Sequence, residues 1–235
     1  MCGRFITTGT WAEYRKYMSI LPPEVDGRNG PEPNYNTAPT STLEIVTSHD
    51  GGIGIEPVKW GLVPHWSKDT KVRMMINARG ETVAEKPFFR TAFEYGRCLV
   101  PATGYYEWLV LDKAKKEKQP YLIHLPGEAP TFEPFAFAGI MSRNKNLDTT
   151  TFAIVTLAAT DNISHIHDRM PVIFKSEALE AWMNPATGKA DALDLLQENR
   201  GTDLIYYPVS QDVGAVKNKG SHLIDPIQSL RRRDG

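Results

Sequence analysis

Cysteine is what this chain has least of: 235 residues carry only Cys2 and Cys98. No disulfide framework can be built from one possible pair, and a reducing cytosol suits such a composition better than an oxidising compartment. Long apolar runs are missing too. No stretch approaches the roughly 20 residues of a membrane helix, and the first residues lack the apolar segment of a signal peptide. Charge excess is absent as well, with 27 Lys and Arg against 28 Asp and Glu. That balance argues against a highly basic nucleic-acid binder, although a local stripe of cations would still meet phosphates. The sequence contains no GxxxxGK[ST] loop, no HExxH helix and no GxSxG elbow, which sets aside the commonest nucleotide, zinc and serine chemistries. GGIGIE (51–56) lacks the GxGxxG spacing and reads as a turn.

What is present is an ordinary globular chain, 41% hydrophobic and 23% charged, long enough to bury roughly 70% of its unfolded surface. No internal repeat or linker divides it, so residues 1–235 are expected to form a single domain, with 228–235 a mobile tail. Thr10 and Glu13 form a capping box ahead of a helix over 10–20, with Trp11, Tyr14 and Met18 on one face. Residues 28–41, crowded with Pro, Asn and Gly, read as a loop. Short β-type runs follow at 43–47, 55–63, 98–102, 105–111, 121–125, 135–141, 151–158 and 204–209, and the charged DKAKKEKQ (112–119) reads as an exposed hairpin connection. Helices are expected at 176–183, with Ser176 as N-cap, and at 190–199, ended by Gly201. Many short strands with few helices make this an α+β protein, a mainly antiparallel, barrel-like curled sheet flanked by a few helices.

Several polar residues stand inside apolar or turn-forming stretches. In GYYEW, Glu107 alternates to the face opposite Tyr106 and Trp108. On this stretch alone an outward-facing Glu is favoured, and a desolvated carboxylate fit for acid–base work is the alternative. SHIHDRMPVIF puts His165, His167, Asp168 and Arg169 in a tight polar segment between apolar runs. His165 reads as a structural histidine, while His167 belongs to a charged cluster beside the core. A metal pair at His165 and His167 lacks a third ligand other than Cys2, so no metal is expected. INARGET sets Asn77 and Arg79 on one side of an extended segment, an amide and a guanidinium suited to gripping an anion. In WGLVPHW, Trp60 and Trp66 are either core or a surface for stacking nucleobases.

Cys2 differs from any internal cysteine. It is small enough for Met1 to be removed ahead of it, and its own amine then joins its thiol in a 1,2-aminothiol. Ordinary values near 8 for the amine and 8.5 for the thiol leave both partly deprotonated at neutral pH. The amine condenses with an aldehyde to an imine, and the sulfur closes on the imine carbon to give a five-membered thiazolidine. An amide nitrogen cannot do this. Position 2, not cysteine as such, carries the chemistry.

MCGRF, NYNTAP (34–39), WGLVP (60–64), INAR (76–79), ET (81–82), RCLVPATGYYEW (97–108), IVTLAA (154–159), IHDRMPVI (166–173), PVS (208–210) and VKN (216–218) occur in order along the chain. Together they resemble the SRAP (SOS response-associated peptidase) family over essentially the whole length. The resemblance implies a protein that senses abasic sites in single-stranded DNA and crosslinks to them through Cys2. Asn77 would orient the amine or the sugar, Glu107 would shuttle protons, and His167 would assist opening of the sugar ring. Arg4 and Arg79 would hold phosphates. Asn36, Trp66, Arg169 and Lys217, with neighbouring Asn218, are further DNA-contact candidates, and Phe88 is either a wedge between bases or core. Cys98 is expected to be an inert buried thiol. No cofactor is expected. The expected partner is abasic single-stranded DNA, without a membrane, and the protein a cytoplasmic monomer, nucleoid-associated when on DNA. The family name keeps a cysteine-type (auto)peptidase open as the alternative, and a non-catalytic single-strand binding module is the third reading.

Overall fold

A computed structural model describes residues 2–227 apart from 29, 31, 50, 51, 70, 128, 130, 131, 199, 200 and 202. The 228–235 tail therefore lies outside the described residues. Twelve strands and four α-helices occur among those described. In chain order they are β1 (Phe5–Thr7), α1 (Trp11–Tyr17), β2 (Asn34–Thr37), β3 (Thr42–His49), β4 (Gly52–Trp60), β5 (Asn77–Arg79), α2 (Arg90–Tyr95), β6 (Arg97–Ala102), β7 (Gly104–Asp112), β8 (Glu117–His124), β9 (Phe135–Asn144), β10 (Thr149–Ala158), β11 (Arg169–Pro171), α3 (Leu179–Met183), α4 (Lys189–Glu198) and β12 (Ile205–Pro208).

One sheet runs β12–β8–β7–β1–β2, antiparallel throughout. The other runs β11–β10–β4–β3–β6–β9, with β5 added on β10 and β9 also paired to β10. Its ladders are antiparallel except where β10 meets β4 and β5. The sheet curls until β10 reaches β4 over two residue pairs, so it is barrel-like without being an evenly laddered closed barrel.

Three apolar layers hold these pieces. Helices α1 to α4 bury Trp11, Tyr14, Phe93, Trp182 and Leu196 on the outside of the curled sheet. The two sheets enclose a second layer that includes Cys2, Phe5, Trp60, Cys98, Tyr105, Phe137 and Phe152. A third, with Ile6, Tyr106, Leu122 and Val213, backs the five-stranded sheet. Rings knit the middle layer: Phe5 meets Trp60 edge-on at 5.0 Å and Phe137 at 5.6 Å. Burying a large side chain of this kind contributes about 2–3 kcal/mol. Trp60 is thus core, with its Nε1 donating to the Ile76 carbonyl at 2.9 Å.

Local signals set several boundaries. Thr10 caps α1 through a full capping box with Glu13, but the helix ends at Tyr17, short of the expected 20. GGIGIE is not a turn: β4 starts at Gly52, which faces His49 of β3. Likewise 28–41 is not all loop, because Asn34–Thr37 pairs with β1. Pairing with a distant strand overrides turn-forming composition at both places. Ser176 is not an N-cap; it opens a 3₁₀ turn whose cap position is Lys175.

Candidate active site

Two sets of pairings converge on the chain start. Phe5 pairs with Tyr105 and Ile6 with Gly104, and the Tyr106 N–H donates to the Arg4 carbonyl at 2.9 Å. Continuing that antiparallel register places Gly3 opposite Glu107. From the other sheet, β10 aligns Ile154 with Asn77 and Thr156 with Arg79 on β5. Thr156 to Ala158 also pair with β11, whose first residue is Arg169. Strand β10 thereby brings the Asn77–Arg79 segment and the His167–Arg169 segment to one end of the sheet.

Cys2 is fully buried in the middle layer. The Asn77 Nδ2 donates to its carbonyl at 2.8 Å, while the Asn77 Oδ1 is buried without a hydrogen-bond partner among the described residues. Glu107 is 3% exposed, so it faces inward. Burial pushes its carboxyl up to about 7. Burial first, and then the negative charge of Glu107, drive the Cys2 thiol well above its ordinary range. The resting sulfur is therefore a neutral thiol rather than the partly ionised one expected from free values, and a nearby base has to take its proton.

His167 is half-buried, and desolvation lowers its pKa. Its Nδ1 accepts from the Arg169 N–H at 3.0 Å and lies 2.9 Å from Asp168 Oδ1. One nitrogen cannot both donate to the carboxylate and accept from the main chain. Since desolvation disfavours the imidazolium, the neutral ring with its proton on Nε2 is the form consistent with the main-chain bond.

The remaining candidates fall into separate groups. Arg4 donates to Asn36 Oδ1 (2.7 Å) and to the carbonyls of Val213 (2.7 Å) and Gly214 (3.0 Å). Asn36 is fully buried and donates to the carbonyls of Val213, Ala215 and Asn218. This pair clasps the 211–218 segment, on which Lys217 is exposed. Arg169 is held bidentately by Glu81, at 2.5 and 2.8 Å, and also donates to the Thr156 carbonyl at 2.6 Å. Arg79 is exposed beside it. Trp66 is 52% exposed, away from the buried ring cluster of Trp60. Phe88 is half-buried, packed edge-on against Phe89 at 5.0 Å. His165 is exposed rather than a core histidine. No group of three or more His, Cys, Asp or Glu able to hold a metal ion occurs among the described residues, and none of their helices is long and apolar enough to cross a membrane.

Two side chains went unassigned in the sequence. Glu81, inside the ET motif, is the ion-pair partner of Arg169. Tyr105 is fully buried, and its hydroxyl has no hydrogen-bond partner among the described residues. Burial raises its pKa, and negative charge on Glu107, or on Cys2 when ionised, raises it further. Two-residue alternation puts Tyr105 on the face of Glu107, and this was the signal that could have found it.

The class this defines is an α+β protein of two mainly antiparallel sheets that seal a cysteine between them, with a buried amide on its carbonyl and a carboxyl of raised pKa across the ladder. Comparison with known proteins gives the same class a name. The family model described as "SOS response associated peptidase (SRAP)" matches residues 1–216. The abasic site processing protein YoaM of Bacillus subtilis is 34% identical over 230 residues, 96% of this chain and 98% of that protein. The abasic site processing protein YedK of Escherichia coli is 32% identical over 233 residues, covering 97% and 100%. A crystal structure of a protein from Bacteroides thetaiotaomicron superposes with a TM-score of 0.75 at 26% identity, over 96% of this chain and all of that one. The chain belongs to the SRAP family.

Proposed function

We propose that this protein processes abasic sites in single-stranded DNA by forming a covalent thiazolidine through Cys2 once Met1 has been removed. One observation carries the reading: Cys2 is fully buried, its carbonyl is fixed by Asn77, and the β1–β7 register sets Glu107 opposite Gly3. The names of the relatives, abasic site processing proteins, support the substrate class.

The chemistry balances without a cofactor. The Cys2 amine adds to the aldehyde carbon of the opened deoxyribose, and water leaves to give an imine. The sulfur then bonds to that carbon while the thiol proton passes to the nitrogen, so the adduct weighs one water less than its parts. With its pKa near 7, Glu107 is populated in both protonation states at neutral pH and can carry this proton each way. The neutral His167 takes and returns the proton of the closed sugar's hydroxyl as the ring opens. Asn77 holds the nucleophile's main chain and keeps its Oδ1 available for the freed amine. Arg79, Lys217 and the half-exposed Arg4 supply positive charge for the DNA backbone, and Arg169 joins them on exchanging Glu81 for a phosphate. Trp66 offers a stacking surface in this role, and Phe88 an apolar edge.

The test is a denaturing gel of single-stranded DNA carrying one abasic site, incubated with protein whose Met1 removal has been verified by mass. A heat-stable shifted band is expected, absent in Cys2→Ala and in protein with residues retained before Cys2. An adduct that survives in Cys2→Ala, or one equally durable in Cys2→Ser, overturns the reading. Cleavage of a peptide substrate without DNA, and no adduct, would favour the peptidase alternative.

A further inference from the structure

The sheet face that carries Glu107 continues past it to an open edge. Tyr121 of β8 is the direct cross-strand partner of Glu107, so both side chains stand on the same face. On the next row, Tyr105 faces Ile123, and Ile123 faces Tyr206 of the edge strand β12. Tyr121 and Tyr206 meet edge-on at 6.1 Å, tilted by 65°. His165, two residues before His167 and in the same turn, closes on Tyr206 at 5.2 Å and 60°. The Asn162 Nδ2 donates to the Leu204 carbonyl at 3.3 Å, tying that turn to the start of β12.

These three rings differ from the core aromatics. Phe5, Trp60, Tyr105, Phe137 and Phe152 are sealed, whereas Tyr206 is 36% exposed, His165 is exposed and Tyr121 is half-buried. Adjacent strands lie roughly 5 Å apart, so the shelf begins about one strand from Glu107 and ends about two strands away. An abasic nucleotide has no base, but its neighbour in the strand does. With the opened sugar at Cys2 and Glu107, a shelf at this spacing is within reach of the neighbouring base. Lys118 of β8 is exposed and its charge is felt at His167, which favours an anionic group such as a phosphate there over a neutral or basic one.

We propose that Tyr121, Tyr206 and His165 form a subsite that stacks the intact nucleobase on one side of the abasic sugar. The inference rests on the proposed abasic-site reading and extends it to how a gap in the stack is recognised: an empty position at Cys2 and a filled one beside it. Stacking on aromatic side chains discriminates little among the four bases, so the subsite reads the presence of a base rather than its identity.

The test uses short single strands with a tetrahydrofuran abasic analogue, which has no aldehyde and cannot crosslink. The nucleotide on either the 5′ or the 3′ side is normal or is itself a second tetrahydrofuran. Wild-type protein should lose affinity by roughly 5- to 100-fold when the base is deleted on one side only. Tyr206→Ala and, separately, His165→Ala should shrink that ratio, and Tyr206→Trp should restore it. Equal ratios in wild type and Tyr206→Ala overturn the subsite. If Tyr206→Ala fails to fold, the exposed His165→Ala carries the decision. A change in oligomeric state on mutating Tyr206, with the ratio unmoved, assigns the β12 edge to protein contact instead and also overturns it. The crosslink of wild type to a natural abasic site is scored separately: its absence with the base-dependent ratio intact defeats the covalent reading and leaves the subsite standing.

Discussion

Asn77 reaches across from one sheet to Cys2, just ahead of the first strand of the other, its Nδ2 donating to the Cys2 carbonyl at 2.8 Å. Both groups are buried, so the bond is one of the few polar ties inside an otherwise apolar middle layer. Replacing Asn77 with Leu leaves that carbonyl unsatisfied. The expected result is a loss of about 1–3 kcal/mol in chemical denaturation and crosslink formation slowed by tenfold or more, with the final adduct still heat-stable. Unchanged stability and rate would remove Asn77 from the site.

Glu107 gives the fold a pH signature. Its carboxyl sits near 7 instead of the ordinary 4.5, so the folded state binds this proton more tightly than the unfolded chain does. The stabilisation is full below about pH 4.5 and is lost as pH rises through 7, amounting to roughly 3 kcal/mol. Urea unfolding at pH 5 and pH 8 should show this drop in wild type and a much flatter profile in Glu107→Gln. Parallel profiles for the two proteins would mean that Glu107 is not desolvated as described.

The Arg169–Glu81 pair sets two cationic requirements against each other. Glu81→Gln should cost about 1 kcal/mol of stability, yet free Arg169 for a phosphate. Binding to single-stranded DNA at low salt should tighten, and the slope of log K against log salt should steepen by about 0.7. Weaker binding at every salt concentration would show that Arg169 needs Glu81 to be placed.

Cys98 is the second buried thiol and the control for Cys2. It is fully buried, and a Cβ on Gly139 would come within 2.7 Å of its sulfur, so it fills its site tightly. Cys98→Ala should lower stability by about 1–2 kcal/mol and leave the adduct yield on abasic DNA intact. Loss of the adduct in a folded Cys98→Ala protein would mean that Cys2 is not the only sulfur involved.

Much of this was legible in the sequence where a local rule fixes a local structure. TWAE announced the capping box, and the long β-type runs became β3 and β6 to β10. The short strands β1, β2, β5 and β11 have three or four residues each, too few for periodicity to register. They exist because a distant strand offers them hydrogen bonds, and the same dependence turned GGIGIE into the start of β4. Glu107 shows the limit from another side. Alternation places it opposite Tyr106 and Trp108, but both faces of β7 are covered here, one by the curled sheet and one by the third apolar layer. Whether a face is wet depends on layers the strand cannot announce. The positions of Arg4 and Asn36 were equally out of reach, since their partners lie at 213–218.

Those partners also set a clock. Arg4 is tied to carbonyls more than 200 residues further along, and Lys219 donates to the Asn36 carbonyl. At a synthesis rate of roughly 5–20 residues per second, the leading cysteine waits about 10–40 s for the last of its surroundings to be made. During that interval Arg4 and Asn36 lack the carbonyls of 213–218 that they hold in the finished fold. The 213–219 segment therefore completes the surroundings of the chain start, joining two parts of the sequence that are made far apart in time.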